Sequence, residues 1–447
     1  MEKVSAAPST GSREEQGSTR RIVYASIIAF LAWTFSIFNF FIFGYLVPVI
    51  APVFNWSFTD VGIIFTAISL GTILTSLTVG PMTDYLGRRK ALALAVLGGA
   101  LSSGLIPLAA YLNGTFAKVY IIAIRSLSGY AISAQAINAT YLNEMYGPKR
   151  RGLLYSFVQG GFTVGALLAA ASALFLLPLI GWNQLFLIGS LPVFLIILAV
   201  GRLPESSRFL HLKGIREAQR RGDEKRVQEL RRIYEVDAEK AKKFTYRQLF
   251  GPDLRRHTLS LTTAFTLQWF VTAIFQILAT TVLSVGKEIS LASSFEWLIA
   301  TNLLSYPSYL LFGYLGDFVP RRDLVIFCWL TSGVGYVSML FLQGFWPVVL
   351  AYTVGYFFQA GAFAPMFSYM AESFPTRTRG TGAIFVSSIS QVGAVTAFGM
   401  FSAFTASGFS IATAALFAGG IPALLSSLSL LGARRIPPRT ELERISV

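Results

Sequence analysis

Charged residues and cysteine are scarce in this chain of 447 residues. Asp, Glu, Lys and Arg together make up 13% of the sequence, whereas a soluble globular domain carries about 25%. The single cysteine, Cys328, excludes an internal disulfide, and its place inside an apolar run predicts that it packs there as a small hydrophobic side chain. So little charge over this length argues against a soluble protein.

Motifs that carry enzymatic chemistry are also missing from the sequence. The two histidines, His211 and His257, both lie in or beside a polar stretch near the middle of the chain. No cluster has the spacing of a metal site, no nucleophile stands beside a general base, and no nucleotide-binding motif occurs. We therefore expect no catalytic residues, no metal and no cofactor, so the chain is predicted to be neither an enzyme nor an ATP-driven pump.

Long apolar runs are abundant instead. Hydrophobic residues make up 54% of the chain, and the mean hydropathy is +0.59. A helix needs about 20 apolar residues to cross the hydrocarbon core of a membrane. The sequence therefore predicts an all-α integral membrane protein with twelve spans, at 22–50, 58–79, 91–112, 117–142, 153–178, 182–202, 258–284, 292–314, 323–342, 346–370, 381–405 and 409–433.

One long polar stretch divides the twelve predicted spans into two groups of six. This stretch is rich in charges and predicts one or two amphipathic helices outside the membrane. The N-terminal residues are polar and are expected to be disordered. The predicted units are a disordered N-terminus at 1–21, a six-helix bundle at 22–202, a loop at 203–256, a second six-helix bundle at 257–435 and a tail at 436–447.

Basic residues indicate how the spans are oriented. The net charge is +15, and with twelve spans the basic clusters fall on one side, among them Arg88–Lys90, Lys149–Arg151 and Arg434–Arg435. Because Lys and Arg are retained on the cytoplasmic side of a cell membrane, both termini are predicted to be cytoplasmic. Topology thus accounts for the basic character, and we expect a monomer in a lipid bilayer with no nucleic-acid partner.

Two motifs occur once in each half of the chain. TYLNEMYGPKRRG at 140–152 matches SYMAESFPTRTRG at 368–380, and GPMTDYLGRR at 80–89 matches GYLGDFVPRR at 313–322. Each pair follows equivalent spans, so the chain is predicted to consist of two parallel six-span repeats. Repeats of this kind place a substrate site at their interface, near the membrane midplane.

These motifs resemble those of the major facilitator superfamily, and the resemblance covers residues 22–435. GPMTDYLGRRK at 80–90 resembles the loop signature G-x-x-x-D-x-x-G-R-R/K. LPESSRFL at 203–210 resembles the PESPRWL that follows the sixth span in sugar porters and organic-ion transporters, and AESFPTRTRGTG at 371–382 resembles their E-x-F-P-T-x-x-R-G-x-G. The resemblance implies twelve helices in two pseudo-symmetric six-helix bundles that transport a solute by alternating access.

The resemblance also implies a gate built from the charged residues of these motifs. In the superfamily the loop carboxylate faces the positive N-terminal end of the eleventh span, and Asp84 occupies that position here. Arg88 and Arg89 are expected to pair with Glu144, unless these arginines only fix the topology. The full predicted gate comprises Asp84, Arg88, Arg89, Glu144, Arg151, Glu205, Asp317, Arg321, Glu372 and Arg379.

Arg125 is the clearest candidate for substrate binding. A charge inside a span costs about 2.5–3.5 kcal/mol on insertion scales, and Arg125 with Gly129 fits the R-x-x-x-G pattern that the superfamily has at this place. Symporters of the superfamily often carry two aspartates in the first span, where Ser36 and Asn39 stand here. A carboxylate substrate would supply the missing counter-charge. The alternative is that Arg125 extends to the membrane surface or bonds main-chain carbonyls.

Further candidates are amide and aromatic side chains on several spans. Together they suit a small polar solute with an apolar or ring face, although each alone is also typical of ordinary packing. Glu296, in the eighth span, is the predicted proton carrier if transport is proton-coupled; an interfacial position near Lys287 fits the sequence equally well. The predicted substrate-binding residues are Arg125, Asn39, Ser36, Gln135, Gln268, Trp269, Gln276, Tyr356, Gln359 and Gln391.

A secondary transporter of a small organic solute fits these observations best, and an organic anion such as a carboxylate or aromatic acid is the expected cargo. Sugar transport, drug efflux and a non-transporting nutrient sensor on the same scaffold stay open as alternatives. The LPESSRFL motif keeps the sugar alternative open, but LQWFVTAIFQ at 267–276 lacks the Q-Q-x-x-G-x-N phrase that sugar porters carry in the seventh span, which argues against it. The paired repeats argue against a channel.

Overall fold

The protein is helical in the part of the chain that the structure describes. The two six-helix halves fall almost entirely within this part, whereas the predicted loop helices and the tail lie largely outside it. No β-strand occurs among the described residues. The structure is a computed structural model that describes residues 11–145, 156–205, 248–374 and 379–438, together with short pieces between 209 and 228.

The first half contains six spans, of which the fourth and sixth are interrupted. A short helix at Val47–Val53 follows the first span, and a 3₁₀ turn at Ile106–Tyr111 ends the third. The described part of the fifth span runs from Ser156 to Phe175. The helices of the six spans are Gly11–Tyr45, Phe58–Leu86, Arg88–Gly104, Gly114–Ser126 with Ser128–Met145, Gly161–Phe175, and Leu177–Ser190 with Pro192–Val200.

The second half repeats this order. Its seventh and twelfth spans contain π-helical segments, which are uncommon and occur often at functional sites. The helices of the six spans are Arg255–Val271 with π segments Thr272–Ile277 and Thr281–Gly286, Leu291–Leu315, Arg321–Phe341, Phe345–Ser373, Arg379–Ile389 with Val392–Ala406, and Ile411–Ala415 with the π segment Leu416–Gly420 and Ile421–Ser429.

Ten helices of the described part are long and apolar enough to cross a membrane. The two predicted spans that fall short are the fourth, which is divided at Leu127, and the eighth, which carries four serines along with Glu296 and Asn302. The sixth span is also bent, because Gly181 adopts a φ of 74° inside its first helix. This bend lies beside the limit at 182 that hydropathy predicts.

In each half, a tyrosine hydroxyl forms an equivalent hydrogen bond to the main chain just after the last span. The hydroxyl of Tyr141, in the fourth span, donates to the main-chain oxygen of Pro204 at 2.7 Å. Its repeat equivalent Tyr369, in the tenth span, donates to the main-chain oxygen of Arg434. Both acceptors lie directly after the last span of their own half. The repeat seen in the sequence thus extends to the hydrogen bonds that close each bundle.

The two halves touch along the second and eleventh spans and along the fifth and eighth. We call the end of the molecule that carries residues 80–90 and 313–323 the motif end, and the opposite end the far end.

Backbones of the two halves approach closely at Gly62, where a Cβ atom would lie 2.5 Å from that of Ser402. A Cβ on Gly44 would lie 2.3 Å from the main-chain oxygen of Ile277. Glycine is therefore needed at both crossings.

Described hydrogen bonds between the halves lie toward the far end. Ser402 donates to the main-chain oxygen of Thr59 at 2.9 Å, and the hydroxyls of Thr59 and Thr405 are 3.3 Å apart. The hydroxyl of Thr280 lies 2.9 Å from the main-chain oxygen of Tyr45. These contacts hold the halves together at the far end in this conformation.

Candidate functional site

A small cavity lies between the two halves. Its volume is about 30 Å³, which is enough for one or two water molecules. The first, second and fourth spans contribute one side, and the seventh and eleventh contribute the other. The lining residues are Phe40, Phe65, Ile68, Ser69, Thr72, Ile73, Arg125, Ile132, Trp269, Ile277, Gln391, Ala394 and Phe398. The site is thus mostly apolar and aromatic, with one cation.

Arg125 is buried and bonded to the main chain of the first span. Its Nη1 donates to the main-chain oxygen of Asn39 at 2.9 Å, and its Nη2 donates to that of Phe40 at 3.0 Å. Ser102 lies at the edge of hydrogen-bond reach, with its oxygens 3.4 and 3.5 Å from Nη1. The guanidinium carbon lies 5.0 Å from the centre of the Phe43 ring. The alternative in which Arg125 bonds carbonyls therefore describes this conformation.

These contacts leave the charge of Arg125 uncompensated within the described residues. Carbonyl oxygens and an aromatic face stabilise a cation but carry no full negative charge. No described carboxylate bonds to the guanidinium, and Nε is buried without a hydrogen-bond partner there. The Nη1–Nη2 edge is occupied by consecutive carbonyls, whereas the edge that carries Nε has an unused donor. The guanidinium therefore keeps one donor that no described residue uses.

The polar residues of the first span lie beside the cavity and do not line it. Asn39 is buried and donates its side-chain amide to the main-chain oxygen of Phe35 at 2.9 Å. Its Oδ1 and the hydroxyl of Ser36 have no hydrogen-bond partner among the described residues. The structure therefore does not bring Ser36 and Asn39 to the cavity wall, since only Phe40 of this span reaches it.

Three glutamines form a buried network inside the second half. Gln359 donates to the Oε1 of Gln268 at 3.4 Å and to the hydroxyl of Thr272 at 3.3 Å. Its Oε1 accepts from Gln276 at 3.2 Å and from Tyr336 at 2.8 Å. None of these three glutamines lines the cavity. The hydrogen bonds of this network join side chains of the seventh, ninth and tenth spans.

Only part of the predicted binding set lies at the cavity. Tyr356 is absent from the cavity lining and donates to the Oδ1 of Asn302 at 2.7 Å. Gln135 is half-buried and donates to the Oε1 of Gln159 at 3.2 Å. The predicted residues that do line the cavity are Arg125, Trp269 and Gln391.

Sequence reasoning missed the contribution of the second and eleventh spans. Phe65, Ser69 and Thr72 line the cavity from the second span, and Phe398 lines it from the eleventh. None of these residues is charged, so no insertion cost marks them. The spacing of Phe65, Ser69 and Thr72 by four and three residues places them on one helical face, and that pattern was the available signal.

At the motif end of the first half, Glu205 meets the start of the third span. Its Oε1 accepts from the main-chain nitrogens of Arg88 at 3.0 Å and Arg89 at 3.4 Å. A carboxylate is stabilised there by the positive end of the helix. The Arg89 guanidinium lies 3.3 and 3.4 Å from the main-chain oxygens of Gly201 and Leu203. Hydrogen bonds thus join the motif at 80–90 to the motif at 203–210.

The equivalent cluster of the second half is built from ion pairs. Arg321 bonds to Asp317 at 2.9 Å and also to Glu372. Asp323 bonds to Arg322 and Arg435 at 2.8 and 2.7 Å. Four other predicted gate residues stay predictions, because Arg151 and the side chains of Asp84, Glu144 and Arg379 lie outside the described residues.

Glu296 lies apart from the cavity. It stands near the far end of the eighth span, with an exposed side chain that has no described hydrogen bond or ion pair. It is absent from the cavity lining. Of the two positions that the sequence left open, its location fits the interfacial one and gives no support to a role in proton coupling.

Comparison with known proteins identifies the family. The family model described as Major Facilitator Superfamily matches residues 29–295 and 264–446. The inward-open xylose transporter of Escherichia coli has the same fold, with a TM-score of 0.73 at 17% sequence identity, covering 95% of this chain and 99% of that one.

Several transporters are similar in sequence. The 4-hydroxybenzoate transporter of Acinetobacter baylyi is 27% identical over 79% of this chain and 78% of its own length. The niacin transporter of the same organism is 25% identical over 82% and 83%. The gallate transporter of Pseudomonas putida is 34% identical over 41% and 40%. Since the family model matches both halves, this chain belongs to the Major Facilitator Superfamily and is a membrane transporter.

Proposed function

We propose that this transporter carries a small organic carboxylate, and that Arg125 binds its carboxylate group. The observation that carries the proposal is the cavity itself, whose single cationic lining residue has no carboxylate partner among the described residues. A hydrogen bond between charged groups contributes about 1.5–3 kcal/mol. The free Nε of Arg125 provides the donor for such a bond.

The rest of the lining suits the apolar part of such a solute. Phe40, Phe65, Trp269 and Phe398 supply aromatic surface around Arg125. Gallate, 4-hydroxybenzoate and niacin, which give three similar transporters their names, are all aromatic carboxylates. This agreement supports an aromatic acid as the cargo of the present chain.

Transport of such a solute requires the cavity to change. A volume of about 30 Å³ holds water but not a benzene ring. The two halves must therefore separate at one end to admit the solute, as alternating access supposes. We propose that the far end faces outside and both termini the cytoplasm, and that the charged clusters at the motif end, including Glu205 and Arg321, close the cytoplasmic side.

Substitution of Arg125 tests the proposal directly. We expect Arg125→Gln to bind benzoate ten- to hundredfold more weakly, since a charge-assisted bond is lost. Arg125→Lys should restore binding only in part, because an ammonium does not reproduce the planar guanidinium. Binding to purified protein by calorimetry measures both effects. Arg202→Gln is the matched control, because it removes an exposed guanidinium away from the cavity.

A monodisperse elution profile for each variant serves as the folding control. Glucose in place of benzoate tests the sugar alternative, since a neutral ligand does not need the charge. Normal benzoate binding by folded Arg125→Gln, or binding of glucose with no binding of benzoate, would contradict the proposal.

A further inference from the structure

Two aromatic rings meet across the cavity from opposite halves. Phe65 of the second span and Phe398 of the eleventh have ring centroids 5.0 Å apart and planes inclined by 42°. Both line the cavity, with only 5% and 1% of their surfaces exposed. The hydrogen bond between Ser402 and Thr59 lies on the far side of this pair along the same two spans. The rings therefore form the far-end wall of the cavity.

A third ring links this pair to the cation. The ring of Phe43 lies 5.3 Å from that of Phe65, with planes inclined by 30°. The guanidinium carbon of Arg125 lies 5.0 Å from the centre of Phe43. A row of aromatic rings thus begins at the proposed carboxylate-binding group and ends in the second half. A solute held by its carboxylate at Arg125 has this row beside it.

We propose that Phe65 and Phe398 determine specificity by selecting a flat aromatic ring over a saturated ring of the same size. This inference rests on the proposed function, in which Arg125 holds the carboxylate. A benzene ring adjacent to the carboxylate can pack face or edge against Phe65 and Phe398. Ring–ring contacts of this kind change affinity by about two- to tenfold beyond the effect of buried area. A cyclohexane ring buries similar area but has no π face.

Paired ligands and paired variants test this inference. Binding of benzoate and of cyclohexanecarboxylate is measured by calorimetry on the purified full chain. We expect wild type to prefer benzoate, and Phe65→Leu and Phe398→Leu each to lower benzoate affinity about two- to tenfold while cyclohexanecarboxylate affinity stays nearly constant. If a leucine variant does not fold, Phe65→Met or Phe398→Met keeps an apolar side chain of similar length and removes the ring.

Phe404→Leu is the matched control. Phe404 lies on the same helix as Phe398, but its ring stacks on Phe417 within the second half, at 4.8 Å and 12°. Phe404 is not part of the cavity lining, so its loss should leave both affinities unchanged.

The outcomes separate the two proposals. If wild type binds both acids but the Phe65 and Phe398 variants keep the benzoate preference, ring selection is wrong and the carboxylate role of Arg125 stands. An equal loss for both acids would also refute ring selection, because it would reflect filled volume alone. If wild type binds neither acid, both proposals fail.

Discussion

Arg125 donates its hydrogen bonds to the main chain of the first span, and these bonds do not neutralise its charge. The carbonyls of Asn39 and Phe40 hold the guanidinium in place but leave its positive charge intact. An aspartate in the first span would orient the guanidinium and neutralise it together. The present arrangement separates the two tasks, so the proposed solute provides the neutralising charge.

Asn39→Asp tests this separation at the residue scale. The main-chain oxygen of Asn39 is 2.9 Å from Nη1, so a carboxylate on the same residue would lie close to the guanidinium. Two unit charges roughly 8 Å apart, such as the new carboxylate and that of the bound ligand, interact by about 2 kcal/mol at an effective dielectric of about 20. We expect benzoate affinity at neutral pH to fall at least about tenfold, because the new carboxylate attracts the guanidinium and repels the ligand.

Asn39→Leu is the control, because it removes the same amide without adding charge. Its benzoate affinity should stay within about threefold of wild type, and calorimetry compares the two variants. A folded Asn39→Asp protein with unchanged affinity would show that Arg125 does not bind the carboxylate.

The helices that close the far end do so with small and neutral side chains. Gly62 allows the second span to approach Ser402 of the eleventh, and Thr59 bonds to Ser402 and Thr405. Contacts of this kind depend on backbone distance more than on charge. A single methyl group at the crossing should therefore alter the closure.

Gly62→Ala is expected to loosen the far end. The added Cβ would lie 2.5 Å from that of Ser402, so the two helices must move apart. A Ser69→Cys probe in the cavity wall should then react several-fold faster with a membrane-impermeant maleimide from the far side. The native Cys328 is fully buried, which keeps background labelling low.

Gly80→Ala provides the comparison for this labelling experiment. Gly80 lies on the same helix, and a Cβ there would have no atom within 4 Å. Equal labelling rates in the Gly62 and Gly80 variants would show that the crossing at Gly62 does not limit access.

The sequence predicts where the spans lie but not which face of each span meets the other half. Apolar length locates the spans, because a bilayer demands about 20 such residues whatever the packing. Tertiary packing decides which face of a span meets the other half. Gln268 and Trp269 are neighbours in the sequence, yet Trp269 lines the cavity while Gln268 bonds inside the second bundle. The polar residues of Arg255–Val271 are not gathered on one face, so the helix has no amphipathic pattern to separate them.

Charge is distributed unevenly over the whole molecule. The described contacts between halves at the far end are neutral, whereas the motif end carries carboxylates and arginines in both halves. In this conformation Glu205 bonds within the first half and Glu372 within the second. Charge found inside the spans was the signal that led to Arg125, which lines the cavity. The same signal did not lead to the cavity for Glu296, because this carboxylate lies near the end of its span, where a charge costs less than at the membrane midplane.

Glu296→Gln is therefore expected to keep any pH response that wild type shows. Uptake of labelled benzoate into proteoliposomes, with and without an imposed pH gradient, measures this response. The exposed position of Glu296 near the far end of the eighth span gives it no described route to the cavity. A variant that still exchanges benzoate but no longer responds to the gradient would restore Glu296 as the coupling residue.

The matching tyrosines bear on how the protein is made. Tyr141 reaches the carbonyl of Pro204, and Tyr369 reaches that of Arg434, so each half completes this bond with its own residues. During synthesis domains generally fold as units, the N-terminal one first. The first half therefore has the means to finish its bundle while the second is still being translated, and assembly becomes the docking of two formed units.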